Sequence, residues 1–216
     1  MLRDYHAHSD KDIVFIPVGI NYDRVIEDRS LVRRLNKEVK KRSAWFVIKT
    51  TVGFIFKNAT LSRKKRWRRF GYASVNFGEP VSAKKYCEEQ LIDFSILDQE
   101  ERFIRVESLA QAIMKNVSAV VPILPVALMS EILIKNQAQW SSELELKTQC
   151  LERIEQLQQA GAPIDISSSA IERVLGSALA ALLGRGLLEE KDKLLRMKVA
   201  EVDVVSYYAN SIVGWQ

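Results

Sequence analysis

A chain of 216 residues with 47% hydrophobic content suits one domain of ordinary size or two small ones, and can fill a core. No apolar run approaches the ~18 residues of a spanning helix. The charged N-terminus MLRDYHAHSDKD has no apolar stretch of signal-peptide type, so no secretory signal is expected. A net charge of +5 favours an anionic partner, whether lipid surface, nucleic acid or phosphorylated substrate, and does not choose among them.

Met1 to Lys11 reads as a polar surface segment. His6 and His8, with Asp10 and Asp12, invite a metal reading, but there is no further histidine to complete the sphere. A solvated terminus is the expectation, with no metal site and no cofactor. The two cysteines, Cys87 and Cys150, lack metal spacing and read as reduced cytosolic thiols.

Ile13 to Val18 is an unbroken apolar run closed by Gly19-Ile20, the pattern of a strand buried on both faces in an α/β sheet. Pro17 cannot donate to a ladder and belongs at an edge, a bulge or a strand end. Tyr22 to Arg42 is predicted helical, with Val25, Leu31, Val32, Leu35 and Val39 as a loose apolar stripe. Arg24 falls just past the strand exit, where open α/β folds place ligands, and can either hold an anionic group bidentately or pair with Asp28.

Ala44 to Phe56, AWFVIKTTVGFIF, is the most apolar piece, and Arg63-Lys64-Lys65-Arg66-Trp67-Arg68-Arg69 follows it. A core element with a solvated basic face is one reading. The other is an interfacial element on an anionic membrane through residues 44–69. Gly71 to Val81 alternates with period two, marking a strand that Gly78-Glu79-Pro80 turns out of the sheet. Two strands make no stable sheet, so the partners of a doubly buried strand must come from elsewhere.

From Ser82 onward the pattern is helical. Helices are expected at 82–90, 98–117, through Leu128 to Lys135, at 142–160, 167–183 and 202–212. Leu187 to Val199 fits a charged hairpin around Lys191-Asp192. A helix followed by a hairpin suits a winged helix, but Glu189, Glu190 and Asp192 balance Lys191, Lys193 and Arg196, so no nucleic-acid partner is expected.

The segment IPVGINYDRVIEDRSL resembles the fourth sequence block of the glycerolipid acyltransferases, most closely the glycerol-3-phosphate acyltransferases. GYASVNFGEPVS at Gly71 to Ser82 and SYYANSI at Ser206 to Ile212 are similar to later pieces of that family, in the same order. The resemblance implies an incomplete acyltransferase sheet, the C-terminal part of an α/β domain over residues 1–92, followed by an α-helical C-terminal region over 93–216. It implies acyl transfer from acyl-CoA or acyl-carrier protein to glycerol-3-phosphate, in phospholipid synthesis, peripheral on the cytoplasmic face of the membrane. In the family the general base is a histidine separated from its aspartate partner by four intervening residues, so that the aspartate stands five positions on. Five residues after His6 stands Lys11, and five after His8 stands Ile13, so no catalytic residue is assigned and this portion is expected to be inactive alone. Pro17 and Gly19 carry over as part of the acceptor pocket, with Tyr22 and Arg24 placed beside them by proximity. Asn76, Phe77, Gly78 and Pro80 match a structural block, and the YYANSI element reads as a packing helix. Two alternatives stand beside this reading: a lysophospholipid acyltransferase, and a non-catalytic basic domain that binds membrane or nucleic acid.

Overall fold

The run from Ile13 onward forms two short strands rather than one: β1 (Val14–Phe15) and β2 (Val18–Tyr22). The computed structural model describes residues 2, 5, 10–25, 27–35, 52, 73–137, 139–164, 166 and 168–215. His6, His8, the basic cluster at 63–69 and, apart from Val52, the apolar stretch at 44–56 lie outside the described residues.

β2 pairs antiparallel with β3 (Ala73–Phe77), with Val18 opposite Phe77 and Ile20 opposite Val75. β1 pairs with β4 (Val81–Ser82) in the same sense. The Gly78 amide donates to the Pro17 carbonyl at 2.8 Å, and the Ala83 amide to that of Ile13 at 2.8 Å. The two ladders thus follow one path, interrupted at Pro17, where proline has no N–H to give. Along this path even-numbered residues face out and odd-numbered residues face in, from Ile13 to Tyr22. The expectation of burial on both faces is therefore corrected. Val18 is 36% exposed, Ile20 50%, Val75 47% and Phe77 72%.

Helix α1 spans Asp28–Leu35. It starts later than the predicted Tyr22, because Tyr22 completes β2 and Asp23 to Val25 form the turn after it. Beyond β4, α2 (Ala83–Gln90) starts where the Ser82 hydroxyl accepts from the Lys85 amide, and α3 (Gln99–Val120) where Asp98 does the same for Glu101. A small cluster of Tyr5, Ala83, Cys87, Ile92, Phe94 and Leu109 joins α2 and α3.

The larger core lies around α4 (Pro125–Asn136), in which every residue from Pro125 to Leu133 is buried. Its first-turn proline loses no helical hydrogen bond there. α5 (Glu143–Gln159) opens with a capping box of Ser142 and Glu145. α6 (Ile171–Gly184) buries Leu175, Ala178, Leu179 and Leu182, one face at helical spacing. α7 (Val202–Ala209) buries Val204, Val205 and Tyr208, and these three helices pack around α4. The only carboxylate buried in α4, Glu131, is satisfied by Arg153 at 3.0 Å and Lys135 at 2.9 Å.

The charged hairpin is β6 (Leu188–Lys191) and β7 (Leu194–Met197), and β7 also pairs with β5 (Ser141–Ser142). Asp192 and Lys193 both take positive φ, 52° and 64°, as a two-residue primed turn requires. Arg196 pairs with Glu189 and lies 4.5 Å over the Trp140 ring. Both cysteines are free and buried, and burial pushes the Cys150 thiol up to about 12. Among the described residues no helix is long and apolar enough to cross a membrane.

Candidate functional site

The alternation along β2 separates the four residues singled out in the sequence. Pro17 and Gly19 are buried and face inward, and Tyr22 is exposed on the opposite face. Arg24 sits beyond the strand in the turn, beside Asp23, whose carboxyl burial pushes up in pKa although the Val126 amide and the Arg24 charge oppose the shift. Gly19 touches the end of α3. A β-carbon there would lie 2.4 Å from the Val120 carbonyl oxygen, closer than any side chain allows. Two residues on, the Asn21 side-chain amide donates to the Pro122 carbonyl at 2.8 Å. The inward face of the ribbon therefore carries Gly19, Asn21, Ser74 and Asn76, small or polar, seated on the α3–α4 junction. Its outward face carries Val18, Ile20, Val75 and Phe77. That inverts the usual arrangement of a two-sided ribbon, in which the apolar face meets the core.

Just past the turn lies a buried polar junction that hydrophobic pattern alone does not reveal. Asp28 is 1% exposed. Its carboxylate accepts from the Tyr208 hydroxyl at 2.7 Å and pairs with the Arg185 guanidinium. The Tyr208 oxygen in turn accepts from Arg185 and from the Val25 amide, the latter at 3.1 Å. One donated and two accepted bonds satisfy a phenol completely. Burial pushes the Tyr208 hydroxyl up to about 12, and its bond to Asp28 adds to that. Burial draws the Arg185 guanidinium down, but Tyr208 and Asp28 more than offset it, and the net shift is upward. Arg29 reinforces the junction, donating to the Arg185 carbonyl at 3.2 Å and to Glu201 at 3.0 Å.

Three sequence pieces meet here: the residues after β2, the turn closing α6, and the YYANSI element. Asp28 and Tyr208 are 180 residues apart in sequence. The only local hint is a polar residue on the inward side of α7, where a tyrosine needs a partner for its hydroxyl. The junction holds the chain leaving β2, with Asp23 and Arg24, against the helical core. It binds and orients rather than transferring a proton, since each of its groups is already committed. Among the described residues, no group of three or more His, Cys, Asp or Glu side chains is placed to hold a metal.

A family model described as the glycerol-3-phosphate acyltransferase C-terminal region matches residues 56–215. The chain is 26% identical over 232 residues to a glycerol-3-phosphate acyltransferase of Pseudomonas syringae pv. tomato, covering 98% of this chain and 25% of that protein. It is 26% identical over 227 residues to the enzyme of that name from Pseudomonas aeruginosa, and 24% over 227 residues to that of Pseudomonas putida, with the same coverage. The chain spans about a quarter of the length of these relatives.

Proposed function

Because the chain belongs to the family of glycerol-3-phosphate acyltransferase C-terminal regions, we propose that it works as the C-terminal part of such an enzyme and completes the enzyme's acyltransferase sheet through the β2–β3 ribbon. One observation carries the reading. The ribbon presents an apolar face to solvent and a polar face to its own core. Exposed apolar patches of this kind mark surfaces that another structure covers. β2 lies before residue 56, where the family-model match begins, and β3 lies after it, so the ribbon bridges the region's boundary. The relatives' remaining length is ample for the covering domain.

In this reading the acceptor is glycerol-3-phosphate and the donor a thioester of coenzyme A or acyl-carrier protein. The division lies near residue 92, with an α/β portion before it and the helical region after it. Pro17 and Gly19 shape the turn beside the pocket, Tyr22 stands on the covered face, and Arg24 draws the acceptor's phosphate. The general base comes from the covering domain, so the present chain alone is inactive. Residues 44–69 attach the protein to an anionic membrane surface on its cytoplasmic side.

The test is a chimera in which this chain replaces the matching C-terminal quarter of the Pseudomonas syringae enzyme. The chimera should transfer acyl groups to glycerol-3-phosphate, the chain alone should not, and Ile20→Lys with Phe77→Glu should abolish the chimera's activity. A soluble, folded chimera without turnover would sink the reading, as would turnover by the chain alone.

A further inference from the structure

Three alternate residues where β2 runs into the turn are each tied to the helical region. The Asn21 side-chain amide bonds to the Pro122 carbonyl at 2.8 Å. The Asp23 carboxyl accepts from the Val126 amide. That bond meets a local lack, because the N-cap of α4 is Leu124, which has no side-chain acceptor, and Val126 is the second residue of the helix. A capping oxygen normally comes from the N-cap residue itself, and here the turn after β2 supplies it. The Val25 amide donates to the Tyr208 hydroxyl at 3.1 Å, and the Val25 carbonyl lies 3.4 Å from the same oxygen.

Arg24 therefore stands between two anchored neighbours, one held by α4 and one by α7. The Tyr208 oxygen is itself fixed, since it donates to Asp28 at 2.7 Å and accepts from Arg185. An arginine on a loose turn loses freedom when it engages an anion, and a fixed backbone removes part of that cost. We propose that Tyr208 is a positioning residue, which through Val25 sets the place from which Arg24 meets an anionic acceptor. The YYANSI element then acts on the site after β2 as well as packing the core. This rests on the reading of Arg24 as the group that draws the acceptor's phosphate. Loss of such positioning raises KM and leaves kcat unchanged, because the phosphate is not the part of the acceptor that reacts.

Steady-state kinetics of the chimera with glycerol-3-phosphate, joined to amide exchange in the chain alone, test the proposal. Tyr208→Phe removes only the hydroxyl and keeps the ring, whose centroid lies 5.5 Å from that of Tyr207 and 5.6 Å from the Arg185 guanidinium. It should raise KM about fivefold with kcat within about twofold, the effect of one hydrogen bond. In the chain alone it should speed exchange of the Val25 amide, also about fivefold. Arg24→Gln should raise KM about tenfold or more. The double variant should exceed Arg24→Gln by less than about twofold, because Tyr208 acts through Arg24. Leu157→Ala, a destabilising change at a fully buried site in α5, should leave KM unmoved. A KM rise in Arg24→Gln but none in Tyr208→Phe would overturn the proposal alone. So would effects that multiply in the double variant, equal KM rises in Tyr208→Phe and Leu157→Ala, or unchanged exchange at Val25. An unmoved KM in Arg24→Gln, or a chimera without turnover, would sink the acceptor reading itself and the role of Tyr208 with it.

Discussion

In the helical core, α4 buries every side chain from Pro125 to Leu133, and its one carboxylate there is fully paired. The β2–β3 ribbon does the reverse, with Gly19 and Asn21 inward and Val18, Ile20, Val75 and Phe77 outward. Both arise from the same hydrophobic effect. The core has its complementary surfaces within the chain, and the ribbon's complement is the domain proposed to cover it. Mutations in the two regions should therefore differ in cost, and the difference should shrink once the ribbon is covered.

The largest effect is expected at the junction that ties the ribbon's exit to the core. Asp28→Ala leaves the Arg185 charge and the Tyr208 hydroxyl without their partner, and breaking a buried pair in this way costs about 3–5 kcal/mol. Chemical denaturation of the chain measures it, and a loss below about 1 kcal/mol would show that water replaces the carboxylate. Next comes the direct contrast. Leu128→Ala, at a fully buried site in α4, should cost about 2–5 kcal/mol. Ile20→Ser in the chain alone should stay within about 0.5 kcal/mol, as exposed positions do. In the chimera, Ile20→Ser should rise to a core-like cost. An unchanged small value there would break the comparison.

Gly19→Ala probes the ribbon's inner face. The added methyl group must push β2 off the α3–α4 junction, and strain of this kind costs about 1–3 kcal/mol. Loss of protection at the Asn21 side-chain amide, which bonds to Pro122, should accompany it in NMR exchange.

The smallest effect is in the alkaline range. Folding raises the Tyr208 hydroxyl from 10.0 to about 12, so the folded chain holds the proton more tightly than the unfolded one. The resulting stability is present below pH 10.0 and is lost as pH rises through about 12. Tyr208→Phe should remove that alkaline slope, seen by comparing denaturation midpoints of the two proteins across this window. Identical slopes would place the tyrosine's titration elsewhere.

The helical region was largely legible because its signals are local. Ser82, Asp98 and Ser142 announce helix starts, and Leu175, Ala178, Leu179 and Leu182 show the period of α6. The hairpin followed from its charge pattern and turn. The strand at Ile13 to Ile20 was misread as doubly buried because its inward positions include Ile13, Phe15 and Pro17, apolar like its outward ones. A continuous apolar run conceals which face is covered. Tyr22 was drawn into the following helix by the charged stretch after it, and only pairing with Ala73 settles it as strand. Of the site, Pro17, Gly19, Tyr22 and Arg24 were visible as a cluster in sequence, but the alternation that sets Tyr22 opposite to Gly19 depends on the ladder. The Asp28–Arg185–Tyr208 junction was not legible, because its members lie on segments joined only by the fold.

Amide hydrogen exchange of β2 and β3 tests the central claim most directly, measured in the chain alone and in the chimera. The claim that the outward face is a docking surface predicts fast exchange at Ile20 and Val75 in the chain alone and strong protection in the chimera, with α4 protected in both. Equal protection of the ribbon in the two proteins would contradict it.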